Sequence, residues 1–199
     1  MSRSRRLLLA LVISCTLSAT AHAVVPNAAN STVDPCLIVC PRGDVTFHVT
    51  VRDAANMPIP NSAVVIDFCP APSVRLCFPI TGCTVQGITD VTGFVAFAIQ
   101  AGGITPSGTL ISVRADGVPL ATRPVASPDQ NGSLNVDGSD VSIAMAKLGT
   151  VDPTADFDCD QGTVDKADLI LLQSHFNHVC DVPTPDETRS WGRVKTIYR

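Results

Sequence analysis

The stretch VTFHVTV at residues 45–51 alternates apolar and polar side chains without a break. Successive side chains of a β-strand point to opposite faces, so the valines and the phenylalanine fall on one face. This pattern predicts a half-buried strand that covers a core. Further runs rich in β-branched residues, none with a helical period, follow at residues 63–68, 84–88, 94–99, 109–114 and 118–123.

Turn residues separate these runs at short intervals. Pro58, Pro60 and Asn61 separate the first run from the run at 63–68, and a loop rich in Pro and Cys follows that second run as far as Gly82. The turns DVTG at 90–93 and ADG at 115–117 separate later runs. Several short strands at this spacing predict a β-sandwich, to which we assign residues 24–126.

Three segments of this region resemble the invasin-type bacterial Ig-like domain. They are VTVRD at 49–53, PIPNSAVV at 58–65 and TDVTGFV at 89–95. The resemblance implies an Ig-like sandwich that acts as a spacer or adhesive module rather than as a catalyst.

The N-terminus has the pattern of an export signal. Arg3, Arg5 and Arg6 precede an apolar run at 7–17, and the small-x-small sequence AHA occupies 21–23. This predicts a signal peptide over 1–23 and a secreted mature chain. The sequence VISC at 12–15 leaves a second possibility, a lipobox with a lipidated Cys15. No later stretch approaches the ~18 apolar residues of a membrane-spanning helix, so we expect an extracellular protein, with attachment to the cell surface left open.

The charge of the mature chain argues against polyanionic partners. The chain has 14 basic and 18 acidic side chains, and cleavage removes three of the arginines. The remaining 11 basic side chains give a net charge of −7. Binding to nucleic acid or to an anionic membrane requires a basic face, so neither is expected.

Seven cysteines follow the predicted signal, and in an exported chain they indicate disulfides rather than metal thiolates. Five lie before residue 90 and two after residue 155, so pairing within each half is the simplest arrangement. Cys159 would then pair with Cys180. One of the other five must stay unpaired, and the sequence does not identify it; they are Cys36, Cys40, Cys69, Cys77 and Cys83.

A different pattern begins at residue 127. The segment DQNGSLNVDGSD at 129–140 places oxygen-bearing side chains at loop positions 1, 3, 5, 9 and 12. Calcium prefers six to eight oxygen ligands, which a tight loop can supply from alternate residues. Asn135 would contribute its carbonyl oxygen, and Asp140 would close the site from the first turn of a helix. Apolar residues at helical spacing predict that helix over 141–148, with Gly149 as its C-cap.

The same plan starts again at Asp156. Asp156, Asp158 and Asp160 occupy positions 1, 3 and 5, and Asp168 precedes an apolar helix predicted over 169–176. The repetition indicates a tandem unit and not chance acidity.

Both units resemble the dockerin type I module, a duplicated calcium loop and helix, which we assign to residues 127–180. The resemblance implies a Ca²⁺-dependent module that docks on a cohesin or a similar surface protein. Positions 10 and 11, which help to choose the partner in that family, are Gly138-Ser139 and Lys166-Ala167, and because the pairs differ we do not expect two binding orientations. Asp137 and Asp165 would act through water. The implied ligands are Asp129, Asn131, Ser133, Asn135 and Asp140 in the first loop, and Asp156, Asp158, Asp160, Thr163 and Asp168 in the second.

Each loop departs from the family pattern at one point. Leu134 occupies position 6, where a sharp turn favours glycine because glycine adopts positive φ freely. The second loop keeps Gly162 for that position but has one extra residue, which we assign to Gln161. We expect the second loop, with more carboxylates, to bind better if its backbone absorbs the insertion.

We find no pattern that predicts catalysis. The mature chain has three histidines, His48, His175 and His178. His175, His178 and Cys180 are zinc-ligand types, but Cys180 is assigned to a disulfide and a fourth ligand is missing. We therefore expect a non-catalytic binding or assembly protein. The alternative is an accessory component of a polysaccharide-degrading system, which hydrolysis of a glycan panel by the mature chain would indicate.

Residues 181–199 form a separate tail. Pro183 and Pro185 indicate a linker, and SWGRVKTIYR at 190–199 holds the single Trp and Tyr. This segment is either a terminal strand or frayed end, or a sorting tag read by a secretion system.

Overall fold

A computed structural model describes residues 24–180, so the predicted signal at 1–23 and the tail at 181–199 lie outside the described residues. Within 24–180 the chain is mainly β, with several small sheets followed by two short helices. The strands are β1 (Thr32–Val33), β2 (Leu37–Ile38), β3 (Thr46–Thr50), β4 (Ala63–Asp67), β5 (Arg75–Leu76), β6 (Thr84–Ile88), β7 (Phe94–Ala98), β8 (Ala101–Gly102), β9 (Ile111–Ala115), β10 (Val118–Arg123) and β11 (Val125–Ala126); the helices are α1 (Gly138–Ala146) and α2 (Lys166–Ser174).

Two antiparallel sheets form the body of the β domain, by which we mean residues 24–126. One has the order β1-β3-β7 and the other the order β10-β9-β4-β6. Phe47 pairs with Phe97 across the first sheet, and Ile66 pairs with Val113 across the second. All four side chains are buried in one hydrophobic core, so the two sheets cover a common interior.

The long strands agree with the predicted runs to within one or two residues at each end. Alternation identified β3, one face of which is buried, as Phe47, Val49 and Val51 show. Runs of β-branched residues bounded by turn residues identified the other long strands. The five two-residue strands were not predicted, since two residues have no period. One of them, Arg75–Leu76, lies inside the stretch predicted to be a loop and pairs with β8.

A second, smaller core belongs to residues 127–180, called here the C-terminal module. Ala144 of α1 and Leu172 of α2 are buried there with Phe157 and Val164. Ala126 and Ile38, from the parallel pair β11-β2, also contact this core. The module therefore packs on the β domain through β11 and β2.

Both helices begin three residues earlier than predicted and end two residues earlier. The apolar spacing began only at Val141 and Leu169, whereas the first turn of each helix is polar and is fixed by a capping box. The predicted C-cap of α1 is wrong as well: Lys147 is the C-cap, and Gly149 lies two residues further on with φ of 75°.

The predicted disulfide pairing is wrong. Cys159 pairs with Cys36 and Cys180 pairs with Cys77, so two bridges join the C-terminal module to the β domain. The pair Cys69–Cys83 lies within the β domain, and Cys40 is the free cysteine of the described residues. The assumption of pairing within each half failed because the module folds back over the β domain, which brings distant cysteines together.

Three disulfides are consistent with an oxidising, extracellular setting. Among residues 24–180 no helix combines the length and apolarity that a membrane span requires.

Candidate functional site

The two acidic loops are closed by the first turns of the helices. In α1 the side chain of Asp137 accepts a hydrogen bond from the Ser139 N–H, while Asp140 accepts one from the Asp137 N–H at 2.8 Å. In α2 Asp165 and Asp168 repeat this capping box, with the Asp165 N–H donating to Asp168 at 2.9 Å. Reciprocal caps of this kind satisfy free backbone donors at a helix start. Asp137 and Asp165, predicted to act through water, are therefore N-caps.

In the first loop, backbone donors occupy every carboxylate oxygen of the two buried aspartates. Asp129 accepts from the N–H groups of Ser133 at 3.0 Å and Leu134 at 2.7 Å. The other oxygen of Asp140 accepts from the Asn131 N–H at 3.1 Å. The Ser133 hydroxyl donates to the carbonyl of Asn135 at 2.9 Å, the group expected to bind calcium. All five predicted ligands thus border one small loop.

The second loop brings three of its predicted ligands together. Asp156, Asp158 and Asp168 each place a carboxylate oxygen within 4.8 Å of the others. Asp168 closes the loop by accepting from the Phe157 N–H at 2.6 Å. Asp160 does not join this triad, because its carboxylate turns back to accept from the Gly162 N–H at 2.6 Å. Thr163, the fifth predicted ligand, is exposed.

One oxygen of the second loop has no partner. Asp156 is only 5% exposed, and its Oδ2 accepts from the Gln161 N–H at 3.0 Å. Its Oδ1 is the one buried side-chain N or O atom among the described residues that makes no hydrogen bond. An unsatisfied buried carboxylate oxygen costs free energy, so this atom is available to a cation.

Burial and neighbouring charge disfavour the ionised forms of Asp129 and Asp156, the first aspartates of the two loops. Burial raises the pKa of Asp129, and the charge of Asp140 adds to the effect although backbone donors oppose it. Burial likewise raises the pKa of Asp156, with a further contribution from the charge of Asp168. A bound cation would remove the repulsion in both loops.

The insertion in the second loop is placed differently from our prediction. Gln161 has φ of 61° and Leu134 has φ of 67°, and each donates its N–H to the first aspartate of its loop. Gln161 therefore occupies position 6, whereas Gly162 is outside the left-handed region and the extra residue follows Gln161. Leu134 adopts the positive φ that its position predicted.

The β domain contacts the first loop at its backbone and at Asp129. The Gly103 N–H donates to the carbonyl of Asp129 at 2.8 Å, and the Arg75 guanidinium donates to the carbonyl of Gly132 at 3.2 Å. Gly102 of β8 packs directly against the Asp129 carboxylate, where a Cβ atom would overlap Asp129 Oδ2. The first ligand is thus positioned by the sheet as well as by its own loop.

The two halves of the module exchange backbone contacts. The Val136 N–H donates to His178 O at 2.9 Å, after α2, and the Val164 N–H donates to Thr150 O at 2.8 Å, after α1. Each loop is therefore held by the segment that follows the other helix. This reciprocity matches the sequence repeat and makes the pair of loops one unit.

The exposed surface of the helices contains apolar side chains. Met145, Ile170 and Phe176 are 54%, 55% and 43% exposed. A groove of about 350 Å³ lies between the helices and is lined by Val141, Leu169, Leu172, Gln173 and Phe176. The residues at loop positions 10 and 11 are exposed at the helix starts: Gly138, Ser139, Lys166 and Ala167.

A cavity of about 620 Å³ lies between the β domain and the module. Its titratable lining residues, Lys147 and Asp152, are paired with each other at 3.1 Å. Lys147 also donates to Gln130 and Thr154 at 2.8 Å. These groups hold the module together and are already engaged, so they are not a poised acid and base.

Comparison with known proteins gives one distant match. No family model matches the chain. Over 129 residues it is 32% identical to Uncharacterized protein 091L of Invertebrate iridescent virus 3, a match that covers 63% of this chain and 10% of that protein. The chain thus spans about a tenth of that relative's length, and the relative's name states no activity.

Proposed function

We propose that this protein is an exported, non-catalytic binding and assembly protein. Its C-terminal module is a calcium-stabilised, dockerin-like pair of loops, and its β domain is an Ig-like unit displayed by that module. The observation that carries the proposal is the unpartnered, buried Oδ1 of Asp156 within the triad of Asp156, Asp158 and Asp168.

The donor chemistry favours calcium over a transition metal in these loops. The available groups are carboxylates, an amide, a hydroxyl and backbone carbonyls, which are hard oxygen ligands. Extracellular modules bind calcium at about 10⁻⁴–10⁻³ M, so modest loops are filled outside a cell. Calcium bound only to the folded chain stabilises it by mass action.

The helix surface supports the docking part of the proposal. Phe176 lines the groove between the helices, and Met145 of α1 and Ile170 of α2 are exposed; apolar surface of this kind is typical of interaction sites. Because calcium loops fix the starts of both helices, calcium binding and docking would be coupled. The proposed partner is a cohesin-like or other cell-surface protein.

The calcium proposal is tested by titrating the calcium-free chain in a calorimeter and following its thermal unfolding. The variant Asp156→Asn should unfold at a higher temperature than the native chain without calcium, because it removes the repulsion with Asp168. With calcium it should be the less stable of the two, because it lacks a ligand. The native chain should release heat on calcium addition.

The control is Asp116→Asn, in the turn between β9 and β10, where Asp116 accepts hydrogen bonds from Ser62 and Ala63. Its effect on unfolding should be the same with and without calcium. Absence of calcium heat in the native chain, or an Asp156→Asn effect that does not change sign, contradicts the proposal.

Docking is tested separately by surface plasmon resonance against a panel of cohesin domains in calcium. Ile170→Ser and Phe176→Ser should abolish any binding seen with the native chain, and Val91→Ser, an exposed residue of the β domain, is the matched control. If the chain binds calcium but no cohesin in the panel, the calcium proposal stands and a cohesin partner is contradicted.

A further inference from the structure

Four side chains from distant parts of the sequence converge at the junction of the β domain and the module. Cys40 and Asp44 lie in the segment between β2 and β3, and His175 and His178 follow α2. One ligand atom from each lies within 4.8 Å of the others. Cys40 is buried, and the side chains of His175 and His178 are 16% and 13% exposed.

The separations within this cluster are nearly equal. Cys40 Sγ lies 3.6 Å from His175 Nδ1 and 3.5 Å from His178 Nδ1. The two Nδ1 atoms are 3.3 Å apart. Asp44 Oδ1 lies 3.4 Å from His175 Nδ1, and Asp44 Oδ2 lies 3.3 Å from His178 Nδ1.

The separations among Cys40 Sγ and the two Nδ1 atoms match edges of a tetrahedron around a metal ion, and one Asp44 oxygen lies within 4.8 Å of all three atoms. With Zn–N and Zn–O bonds of about 2.0–2.1 Å and a Zn–S bond of about 2.3 Å, tetrahedral geometry gives N···N and N···O edges of about 3.3 Å and S···N edges of about 3.5 Å. The two imidazole rings stand nearly perpendicular, at 79°, which lets both Nδ1 atoms face one point.

The contacts of Asp44 with the two histidines differ from those of a hydrogen-bonded ion pair. A charge-assisted N–H···O bond is about 2.7–2.9 Å long, and the pair His48–Asp34 in the same chain measures 2.9 Å. Both contacts of Asp44 with the histidines are longer than this.

We propose that Cys40, Asp44, His175 and His178 bind one zinc ion. One thiolate, two imidazoles and one carboxylate are ligands that suit zinc, and the thiolate and imidazoles discriminate against calcium. All four positions are filled by protein, which is the arrangement of a structural zinc site rather than a catalytic one. Asp44, whose side chain is 39% exposed, leaves a path for the ion to enter.

The site would connect the two parts of the chain. Cys40 and Asp44 belong to the β domain, while the histidines terminate the second calcium-loop unit. The disulfides Cys36–Cys159 and Cys77–Cys180 cross the same junction. Zinc would therefore form a third cross-link, independent of whether the acidic loops bind calcium.

The test uses the full chain, secreted through an oxidising compartment, stripped of metal and then titrated with Co²⁺ in excess Ca²⁺. Tetrahedral Co²⁺ gives intense visible ligand-field bands, and a thiolate ligand adds a near-ultraviolet charge-transfer band. We expect both bands to saturate at one ion per chain, and Zn²⁺ to bleach them while further Ca²⁺ does not.

Two conservative variants and two controls assign the site. Cys40→Ser should lose the charge-transfer band, and His178→Gln should weaken Zn²⁺ binding at least about 100-fold, since even second-shell changes cost 10–100-fold. His48→Gln, a histidine outside the cluster, and Asp156→Asn, in the second loop, should bind as the native chain does. Native disulfides and circular dichroism establish that each variant is folded.

Weak, octahedral Co²⁺ spectra in the native chain would overturn the proposal. So would unchanged Zn²⁺ binding in folded Cys40→Ser and His178→Gln, because the ion would then lie elsewhere.

Discussion

Leu134 and Gln161 occupy the same place in the two acidic loops. Their φ angles are 67° and 61°, and their N–H groups donate to Oδ2 of Asp129 and Asp156 respectively. The two loops thus make the same sharp turn at this position, and neither has glycine there. The extra residue of the second loop is accommodated after this turn, where it does not disturb the first aspartate.

Leu134→Gly and Gln161→Gly should each stabilise the calcium-loaded chain by about 1 kcal/mol. A non-glycine residue in the left-handed region costs roughly 1–3 kcal/mol, of which the greater freedom of glycine in the unfolded chain offsets part. Denaturant unfolding of the disulfide-bonded protein measures the difference. Asn135→Gly, at a neighbouring position without positive φ, should instead destabilise; a loss of stability in all three variants would contradict this account of the turn.

Gly102→Ala should weaken calcium binding to the first loop and leave the second loop unchanged. A Cβ atom on Gly102 would lie 2.8 Å from Asp129 Cγ and overlap Oδ2, so the carboxylate must move. A loss of about 1.4 kcal/mol in binding lowers the affinity tenfold, and we expect at least roughly that effect. Calorimetry in an Asp156→Asn background isolates the first loop. Gly138→Ala, where a Cβ atom meets nothing within 4 Å, is the control.

The local units of this protein could be predicted from its sequence, and the way they pack could not. Alternation predicted β3, whose inner face is buried, β-branched runs between turns predicted the other long strands, and the repeated acidic pattern that starts at Asp129 and Asp156 predicted both loops. The capping boxes of Asp137 with Asp140 and Asp165 with Asp168 were present as a D-x-x-D spacing and would have given the true helix starts.

The disulfides depend on tertiary packing, and so does the cluster of Cys40, Asp44, His175 and His178. Cys40 meets His178 across 138 residues of sequence, and nothing in the local pattern of either residue indicates the other. The sequence identified His175 and His178 as zinc-ligand types, but the third residue that it placed with them was Cys180. The structure commits Cys180 to Cys77 and supplies Cys40 and Asp44 in its place.

Removing Cys77–Cys180 should destabilise the chain more than removing Cys69–Cys83. The first bridge spans 103 residues and the second 14. In the chain-entropy description the longer closure contributes about 1–2 kcal/mol more, toward the lower value here because Cys36–Cys159 still restrains the unfolded chain. Paired Cys→Ser variants compared by urea unfolding measure the difference, and equal losses would show that local packing outweighs loop length.

The Asp152–Lys147 pair should make the module sensitive to acid. Burial opposes ionisation of Asp152, but hydrogen bonds from Thr154 and the neighbouring Lys147 dominate and hold its pKa below the ordinary value of 3.8. Because the folded-state pKa is depressed, the stabilisation is present above that ordinary value and is lost as the pH falls through the folded-state pKa. Asp152→Asn should therefore be less stable than the native chain at pH 7, by at most about 1 kcal/mol since the pair is partly exposed.

The difference in stability between the native chain and Asp152→Asn should narrow as the pH falls below about 4. Thermal unfolding of the calcium-free proteins from pH 7 to pH 3 measures it, and the absence of calcium keeps metal release from contributing. Asp116→Asn, which has no charged partner among residues 24–180, is the comparison. A native-to-variant difference that stays constant across this range would mean that the hydrogen bonds to Thr154, and not the charge of Asp152, stabilise the segment.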